Sequence, residues 1–387
     1  MNHSTQRGGP LSGVRIIEVA GLGPGPFCGM MLADMGADVL TIERSTANDT
    51  RLEPLTRNRT RLALDLKNAA HREMLLGLVE HAEVLFEGYR PGVAERLGFG
   101  PDVCLKRNPK LVYGRMTGWG QTGPLASAAG HDINYIALTG ALHGIGRSGE
   151  KPVPPLNLVG DFGGGGMMLA FGIVCALLES RRSGKGQVVD AAMVDGAIAL
   201  MAMSIGFKAG GTHPDGVGSS ILSGAAHYYD TYETSDGKYI SIGSLEPQFF
   251  ALLMQKLELT DSDMAQTGMT SAQGFDSNVW KAMKPRMAEI FRKRTRDEWC
   301  ALLEGTDVCF APVLSLSEAP FHPHNQARQA FVDVGGQLQN APAPRFSGTP
   351  TSHPRHAEQG SQAVTALGER WGLPSPAIER LAGASRL

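Results

Sequence analysis

Residues 14–43 read VRIIEVAGLGPGPFCGMMLADMGADVLTIE. VRIIEVA (14–20) is a short β-branched run, and ADVLTIE (37–43) is a second. Between them FCGMMLADMG (27–36) carries apolar residues at helical spacing and stops at Gly36, a natural C-terminal cap. Strand, turn, helix and strand within about thirty residues make a βαβ unit, and such units build parallel sheets. AEVLFEG (82–88) and KLVYGRM (110–116) supply two more strands. The N-terminal part is therefore predicted to be α/β with a parallel sheet. The turn GLGPGPFCG spaces Gly21, Gly23 and Gly25 by two and interleaves Pro24 and Pro26. It is not GxGxxG, so a nicotinamide fingerprint is not read here.

The chain has 387 residues, enough for one large domain or two ordinary ones. Apolar residues are 42% and charged residues 19%, a globular composition. A net charge of −2 leaves no basic surplus for phosphates along a duplex, which argues against nucleic-acid binding. The five cysteines show no CxxC or metal-like spacing, which reads as a reduced, intracellular protein with no disulfide framework and no zinc site. His322-Pro-His324 has no second ligand cluster beside it, and no metal site is expected. MNHSTQRGGP (1–10) lacks an apolar core, so no secretory signal is expected. MMLAFGIVCALL (167–178) reads as too short to span a bilayer and is predicted to be a buried helix. Ser385-Arg386-Leu387 resembles a peroxisomal address, meaningful if the source is a eukaryote. A bacterial source would make the protein cytoplasmic.

Long apolar helices are predicted over 163–181 and 191–208, followed by the glycine-rich break AGGTHPDGVGSS (209–220). HYYDTYETSDGKYISIG (227–243) alternates aromatic and polar residues around Ser-Asp-Gly, a hairpin pattern. EPQFFALLMQKLEL (246–259) reads as a helix with Pro247 in its first turn. Residues 227–312 thus read as a second, smaller α/β domain. Beyond 319 the chain becomes rich in proline and histidine, an extended connecting segment.

Chemistry concentrates at four places. GHDINY (130–135) sets His131 beside Asp132. NLVGDFGGGG (157–166) sets Asp161 before four glycines and a helix. GSLEPQF (243–249) puts Glu246 at a helix start. The N-terminal half carries Arg44, Arg57, Arg59, Arg61, Lys67, Arg90 and Arg96. Taken singly, Asp161 reads equally well as a helix cap, while Asp132 reads as a cap, His131 as a structural histidine and Glu246 as a helix-start acid, and the cations have a solvated face as their alternative. Yet histidine titrates near neutrality, as a general base must. Four glycines exceed what capping needs and admit close approach to the backbone. A helix N-terminus also favours developing negative charge, such as an enolate oxygen. Glycine amides near 162–166 are expected to serve that oxygen.

Together these stretches, with VLFEGYRPGVAERLG, GRMTGWGQTGPLASAAGHDINYIALTGAL, SGKGQVVDAAMVDG and YDTYETSDGKYISIGSLEPQFF, resemble the class III CoA-transferase family. The resemblance runs in order from about residue 11 to about residue 350, and within the family it points to the α-methylacyl-CoA racemases. It implies a Rossmann-like large domain, a smaller α/β domain and a ring-shaped chain interlocked with a second copy. The expected boundaries are 1–190 for the large coenzyme-A-binding part, 191–226 for a linker helix, 227–312 for the small domain, and 313–387 for a return segment packing on the large domain. It implies that His131 and Asp161 are the two bases, with Asp132 beside them, and that Glu246 orients the histidine across the dimer. Arg44, Lys67, Arg90 and Arg96 are the implied coenzyme contacts.

The expected reaction inverts the carbon next to a thioester through an enolate. It needs no metal, nicotinamide or flavin, and coenzyme A is part of the substrate. A branched fatty acid, a sterol side chain and an arylpropionate all stay open as the acyl group. Two alternatives stay open as well. One is a CoA-transferase in which Asp161 forms an aspartyl anhydride, and the other is a non-catalytic acyl-CoA-binding protein.

Overall fold

The structure, a computed structural model, describes residues 8–44, 53–212, 215–259, 264, 267–269 and 275–385. Residues 386 and 387 of the address-like C-terminus lie outside them. The chain divides into two compact units, 1–139 with 156–201 and 328–387, and 140–155 with 202–327. The first division after 156 falls at Met201, inside the expected 191–226 linker.

The first unit opens as the sequence predicts. Strand β1 (Arg15–Val19), helix α1 (Pro24–Asp34) and strand β2 (Asp38–Glu43) form the βαβ unit. The short helix α2 (Glu53–Thr56) leads to β3 (Arg59–Ala63), then α3 (Ala69–Val79), β4 (Val84–Glu87), α4 (Val93–Leu97), α5 (Pro101–Arg107) and β5 (Val112–Thr117). Helix α6 (Asp132–Ala137) follows, and the chain then enters the second unit with the four-residue α7 (Ala141–Gly144). Back in the first unit, a π-helix (Leu158–Met167) runs directly into α8 (Met168–Ser183), and β6 (Gln187–Ala192) leads into α9 (Met193–Leu200); the next helix, α10 (Ala202–Ala209), belongs to the second unit. The predicted single helix over 191–208 is thus a strand end followed by two helices. Apolar residues there are continuous, so periodicity alone did not mark where the strand stops.

Including β12 (Glu358–Gln359), seven strands pair in the order β12-β3-β2-β1-β4-β5-β6, every neighbour parallel. The order 3-2-1-4-5-6 within it is that of a doubly wound sheet, whose chain reverses direction between β1 and β4. One face is covered by α3, α5 and the C-terminal helices, whose Leu75, Leu78, Cys104, Leu367 and Leu381 pack with Ile17, Leu40 and Leu85. The other face buries Cys28 and Leu32 of α1 and Leu169, Ile173 and Leu177 of α8 against Ile16, Val39 and Phe86.

The apolar stretch predicted as too short for a bilayer belongs to a helix of 26 residues, Leu158–Ser183, which is long and apolar enough to span one. Length therefore does not exclude a span, and the packing of the helix's inner face on the sheet marks it as a core helix.

β3 escaped the sequence reading because it is RTRLA, with two arginines in a strand buried almost throughout. Both are paired: Arg59 with buried Glu18, and Arg61 with Glu43 at 2.6 Å. Buried charge is tolerated only on those terms. Arg57, just before β3, is fully buried. It holds Asp34 at 2.5 Å and the Asn340 carbonyl at 2.7 Å, which pins the returning C-terminal segment.

The second unit contains the predicted hairpin, β7 (Tyr229–Glu233) against β8 (Tyr239–Gly243), with β9 (Phe310–Val313) added on the far side of β8. Helix α11 (Pro247–Lys256) begins with proline at its first turn, as predicted, and α12 (Ser277–Phe291) and α13 (Arg296–Leu303) complete the core around Tyr228, Trp280, Phe291 and Trp299. Helix α14 (Pro323–Ala327) closes the unit. Back in the first unit, the hairpin β10 (Phe331–Val334) and β11 (Gln337–Asn340) precedes β12, and α15 (Ser361–Arg370) and α16 (Ser375–Ala384) end the chain.

Candidate active site

In a doubly wound sheet the ligand crevice lies beyond the carboxyl ends of the strands, at the reversal point. A cavity of about 720 Å³ sits there. Its apolar lining comes from Val19, Leu22, Ile42, Leu64, Tyr89 and Leu97, at the ends of β1 to β4 and on α4. Arg44, Lys67 and Arg96 line the same cavity, with Glu43 and Asp65 as the acidic members. Glu43 is already engaged by Arg61, so Arg44, Lys67 and Arg96 provide the net positive charge.

Arg90 does not line this cavity. It is exposed, and its charge acts on the Tyr135 hydroxyl instead. The structure therefore gathers three of the four predicted coenzyme contacts and sets the fourth on the side of the candidate proton-transfer groups described next.

The β1–α1 turn separates the cavity from those groups. Gly21 and Leu22 line the cavity, and Leu22 is 84% exposed. Gly23 follows at φ +67°, a conformation that favours glycine. A Cβ on Gly23 would stand 3.1 Å from Asp161 Oδ2, so the turn runs directly against that carboxylate. Pro24 and Pro26 sit in the first turn of α1, where missing N–H groups cost little. They also leave that helix start poor in donors, unlike the phosphate-binding start of a dinucleotide fold.

Asp161 sits on the π-helix, half-buried. Asn157 Nδ2 donates to its Oδ2 at 3.4 Å, and Asp132 Oδ2 accepts the Asp161 backbone N–H at 2.7 Å. Burial raises the Asp161 pKa, the Asn157 hydrogen bond and the His131 charge oppose that, and the Asp132 charge adds to it. The carboxyl is thereby moved toward being able to carry a proton. Asp132 is only 7% exposed, and its Oδ1 has no hydrogen-bond partner. A Cβ on Gly160 would fall 2.6 Å from Asp132 Oδ2, so the glycine makes room for the carboxylate.

His131, exposed, occupies the cap position of α6, and its N–H donates to Asn134 Oδ1 at 3.0 Å. Asp132 is thus the first helical residue rather than the cap, and its side chain turns inward to the π-helix. Tyr135 closes the cluster: its hydroxyl donates to the Gly130 carbonyl, and its ring meets Trp119 edge-on at 4.8 Å.

The glycine amides near 162–166 do not have the predicted role. In a π-helix each N–H bonds five residues back, as Phe162 N does to the Asn157 carbonyl at 3.2 Å. The amides that follow it are committed to the same ladder. The glycines instead allow helices to touch. A Cβ on Gly164 would lie 2.7 Å from Ala197 N, and one on Gly196 would lie 1.9 Å from the Gly164 carbonyl oxygen.

Glu246 belongs to the second unit, exposed at the cap position of α11. Asn157 and Tyr135 are site residues that the sequence reading did not single out, and Gly23 was read only as a turn glycine. All three stand inside the quoted motifs, but nothing in their local pattern shows that they meet.

The family model for CoA-transferase family III matches residues 11–360. The chain is 46% identical to the alpha-methylacyl-CoA racemase of Mus musculus, over 93% of each chain. It is 40% identical to that of Homo sapiens, over 88% of this chain and 87% of the human one. Among solved structures, a CAIB/BAIF family protein from Brucella suis superposes with a TM-score of 0.77 at 23% identity, covering 91% of this chain and 97% of that one, a likeness of fold.

Proposed function

The chain belongs to CoA-transferase family III, and from that premise we propose that it is an α-methylacyl-CoA racemase. It interconverts the (2R) and (2S) forms of 2-methylacyl-CoA thioesters. The observation that carries this reading is the gathering of His131 and Asp161, whose pKa burial raises, across the β1–α1 turn from a cationic cavity on the sheet. Two such groups are what a 1,1-proton transfer requires, and the 46% identity to the mouse racemase points the same way.

In one direction the C2–H bond breaks and its proton passes to His131. The electron pair moves into the thioester carbonyl, and an enolate forms. Protonated Asp161 then gives its proton to the opposite face of C2 and is left as carboxylate. In the other direction the roles exchange. Each acid–base partner is worth on the order of 10²–10⁴ in rate. Asp132 holds the Asp161 backbone in place. Arg44, Lys67 and Arg96 bind the phosphates of the coenzyme A moiety, with Arg90 as a further coenzyme contact. A CoA-transferase also needs Asp161, as a nucleophile, but it has no use for His131.

The active form in this reading is an interlocked homodimer. There Glu246 of one protomer orients the partner subunit's His131, and the 191–226 segment links the large domain to the small one. Exposed Phe171, Leu178 and Leu200 in the first unit, and Ile205 and Phe207 in the second, support an assembly that covers them.

The test is proton exchange. A single enantiomer of a 2-methylacyl-CoA is incubated with the protein in deuterated water without an acceptor acid, and C2 is followed by NMR. Deuterium at C2 with loss of configuration is expected. No exchange, together with CoA transfer once free carboxylic acids are added, would replace this reading with the transferase.

A further inference from the structure

The end of β4 carries a buried acid that the proton transfer does not use. Glu87 is 1% exposed and lies in register with Val19, which lines the cavity. Its Oε2 accepts the Tyr89 backbone N–H at 2.6 Å. Its Oε1 lies 3.5 Å from Arg115 Nε, and Arg115 reaches on through Nη2 to Glu95 Oε1 at 2.8 Å. Tyr89, Val93, Arg96 and Leu97 line the cavity, so the residues that this chain of charges holds alternate with those that form the wall.

We propose that Glu87 is a positioning residue for coenzyme binding: its ionised carboxylate, through Tyr89 N–H and the Arg115–Glu95 bridge, sets the Gly88–Gly92 turn and α4 at the spacing the nucleotide end requires. The inference rests on the racemase reading only in taking this cavity as the coenzyme site.

The geometry makes the link mechanical. The Tyr89 amide fixes the start of the turn, and Glu95 fixes the helix that carries Arg96. Arg115 bridges both to β5, so the turn and helix move together. Among the groups facing Glu87, the Arg115 guanidinium is the cationic partner. The Tyr113 hydroxyl and the Cys104 thiol are both pushed up by burial, Cys104 to about 12, and both stay protonated. Glu95 reaches Glu87 through Arg115, and Arg44 acts on the Tyr89 hydroxyl. Burial, opposed by the Tyr89 amide and Arg115, raises Glu87 to about 7. Glu87 therefore changes charge near neutrality. Protonation weakens its hold on Arg115 and slackens the wall.

The test is calorimetric titration of free coenzyme A into the full-length protein at pH 6, 7 and 8, using wild type, Glu87→Gln and Glu95→Gln. Glutamine can still accept from Tyr89, but it turns an N–H₂ toward Arg115. At pH 8 Glu87→Gln is expected to bind about ten-fold more weakly than wild type, and Glu95→Gln about three-fold more weakly, the scale of a coupling near one pKa unit or less. At pH 6 the gap between wild type and Glu87→Gln closes, because wild type is then protonated too. This comparison removes the titration of the ligand's own phosphates. In turnover the loss appears in KM rather than kcat.

Affinity of Glu87→Gln within two-fold of wild type at pH 8, or a gap that is the same at every pH, overturns the proposal. If Glu87→Gln does not fold by circular dichroism, Glu95→Gln decides, and wild-type affinity there overturns it. No binding by wild type overturns the coenzyme reading and this inference with it.

Discussion

Asp161 is held by contacts that pull its proton in opposite senses. Burial and the Asp132 charge keep the proton on, while Asn157 and His131 favour its loss. A group that must be acid in one direction and base in the other needs that balance. Asp161→Asn and His131→Gln should each reduce racemisation by at least 10³-fold with the circular dichroism spectrum unchanged. Each single-base variant should still exchange the C2 proton of one enantiomer with solvent, because the remaining base is intact. NMR of the two enantiomers separately reads this out, and exchange of both by either variant would contradict the two-base assignment. Asp132→Asn keeps an acceptor for the Asp161 amide but removes the charge that raises its pKa. When Asp161 acts as base it must be ionised, so the rate falls as pH drops through its raised pKa. The acid limb of the pH–rate profile in that direction should therefore move to lower pH in Asp132→Asn. These residues were legible as a set because their types and motifs match a known chemistry. Their geometry was not, since Asp132 and Asp161 are 29 positions apart and meet only when α6 packs on the π-helix.

The π-helix sets the position of Asp161 through close contacts on two sides. Phe162 stacks on Phe27 of α1 with centroids 4.3 Å apart and rings within 8° of parallel, and Gly164 touches Gly196 of α9. Gly196→Ala would force α9 off the π-helix. It should lower stability by about 1–3 kcal/mol, the usual cost of overpacking. It should also cost more activity than stability, because the displaced backbone lies three residues from Asp161. Calorimetric melting compared with kcat checks this, and an unchanged melting temperature would mean that the contact is looser than it looks. The sequence marked the glycine run as special but assigned it to substrate. Close approach of a second helix and close approach of a ligand call for the same residue, and one strand of text cannot separate them. β1, α1 and β2 were legible because their periods change cleanly between 2 and 3.6. β3 was not, because Arg59 and Arg61 are buried only by virtue of partners on β1 and β2.

Each of the two units has its own core, and the second holds a group that makes it sensitive to acid. His227 is fully buried. Its Nε2 is 2.9 Å from Thr267 Oγ1, and its Nδ1 has no hydrogen-bond partner. Burial, aided by the Lys284 charge, lowers its pKa to about 4. The folded state therefore holds the neutral ring. The stabilisation is complete above the ordinary histidine pKa and is lost as pH falls from about 6.5 to about 4, by roughly 3 kcal/mol in all. Urea unfolding of wild type and His227→Gln between pH 7 and pH 4.5 checks this. The variant should lose less stability over that interval, and parallel curves would show that the ring is not held neutral. At the same scale, the sheet of the first unit has its outermost strand, β12, supplied from residues 358–359, long after β3 at residues 59–63 has been made. At about 5–20 residues per second a ribosome needs roughly 15 to 60 seconds to cover that distance. Throughout it, β3 leaves the tunnel as an open edge, and Arg57 lacks the carbonyl that will later receive it. The newborn chain must therefore wait with its oldest sheet unfinished, open to chaperones and to strand exchange with its neighbours on the same messenger, until residues 340 and 358–359 arrive to close it.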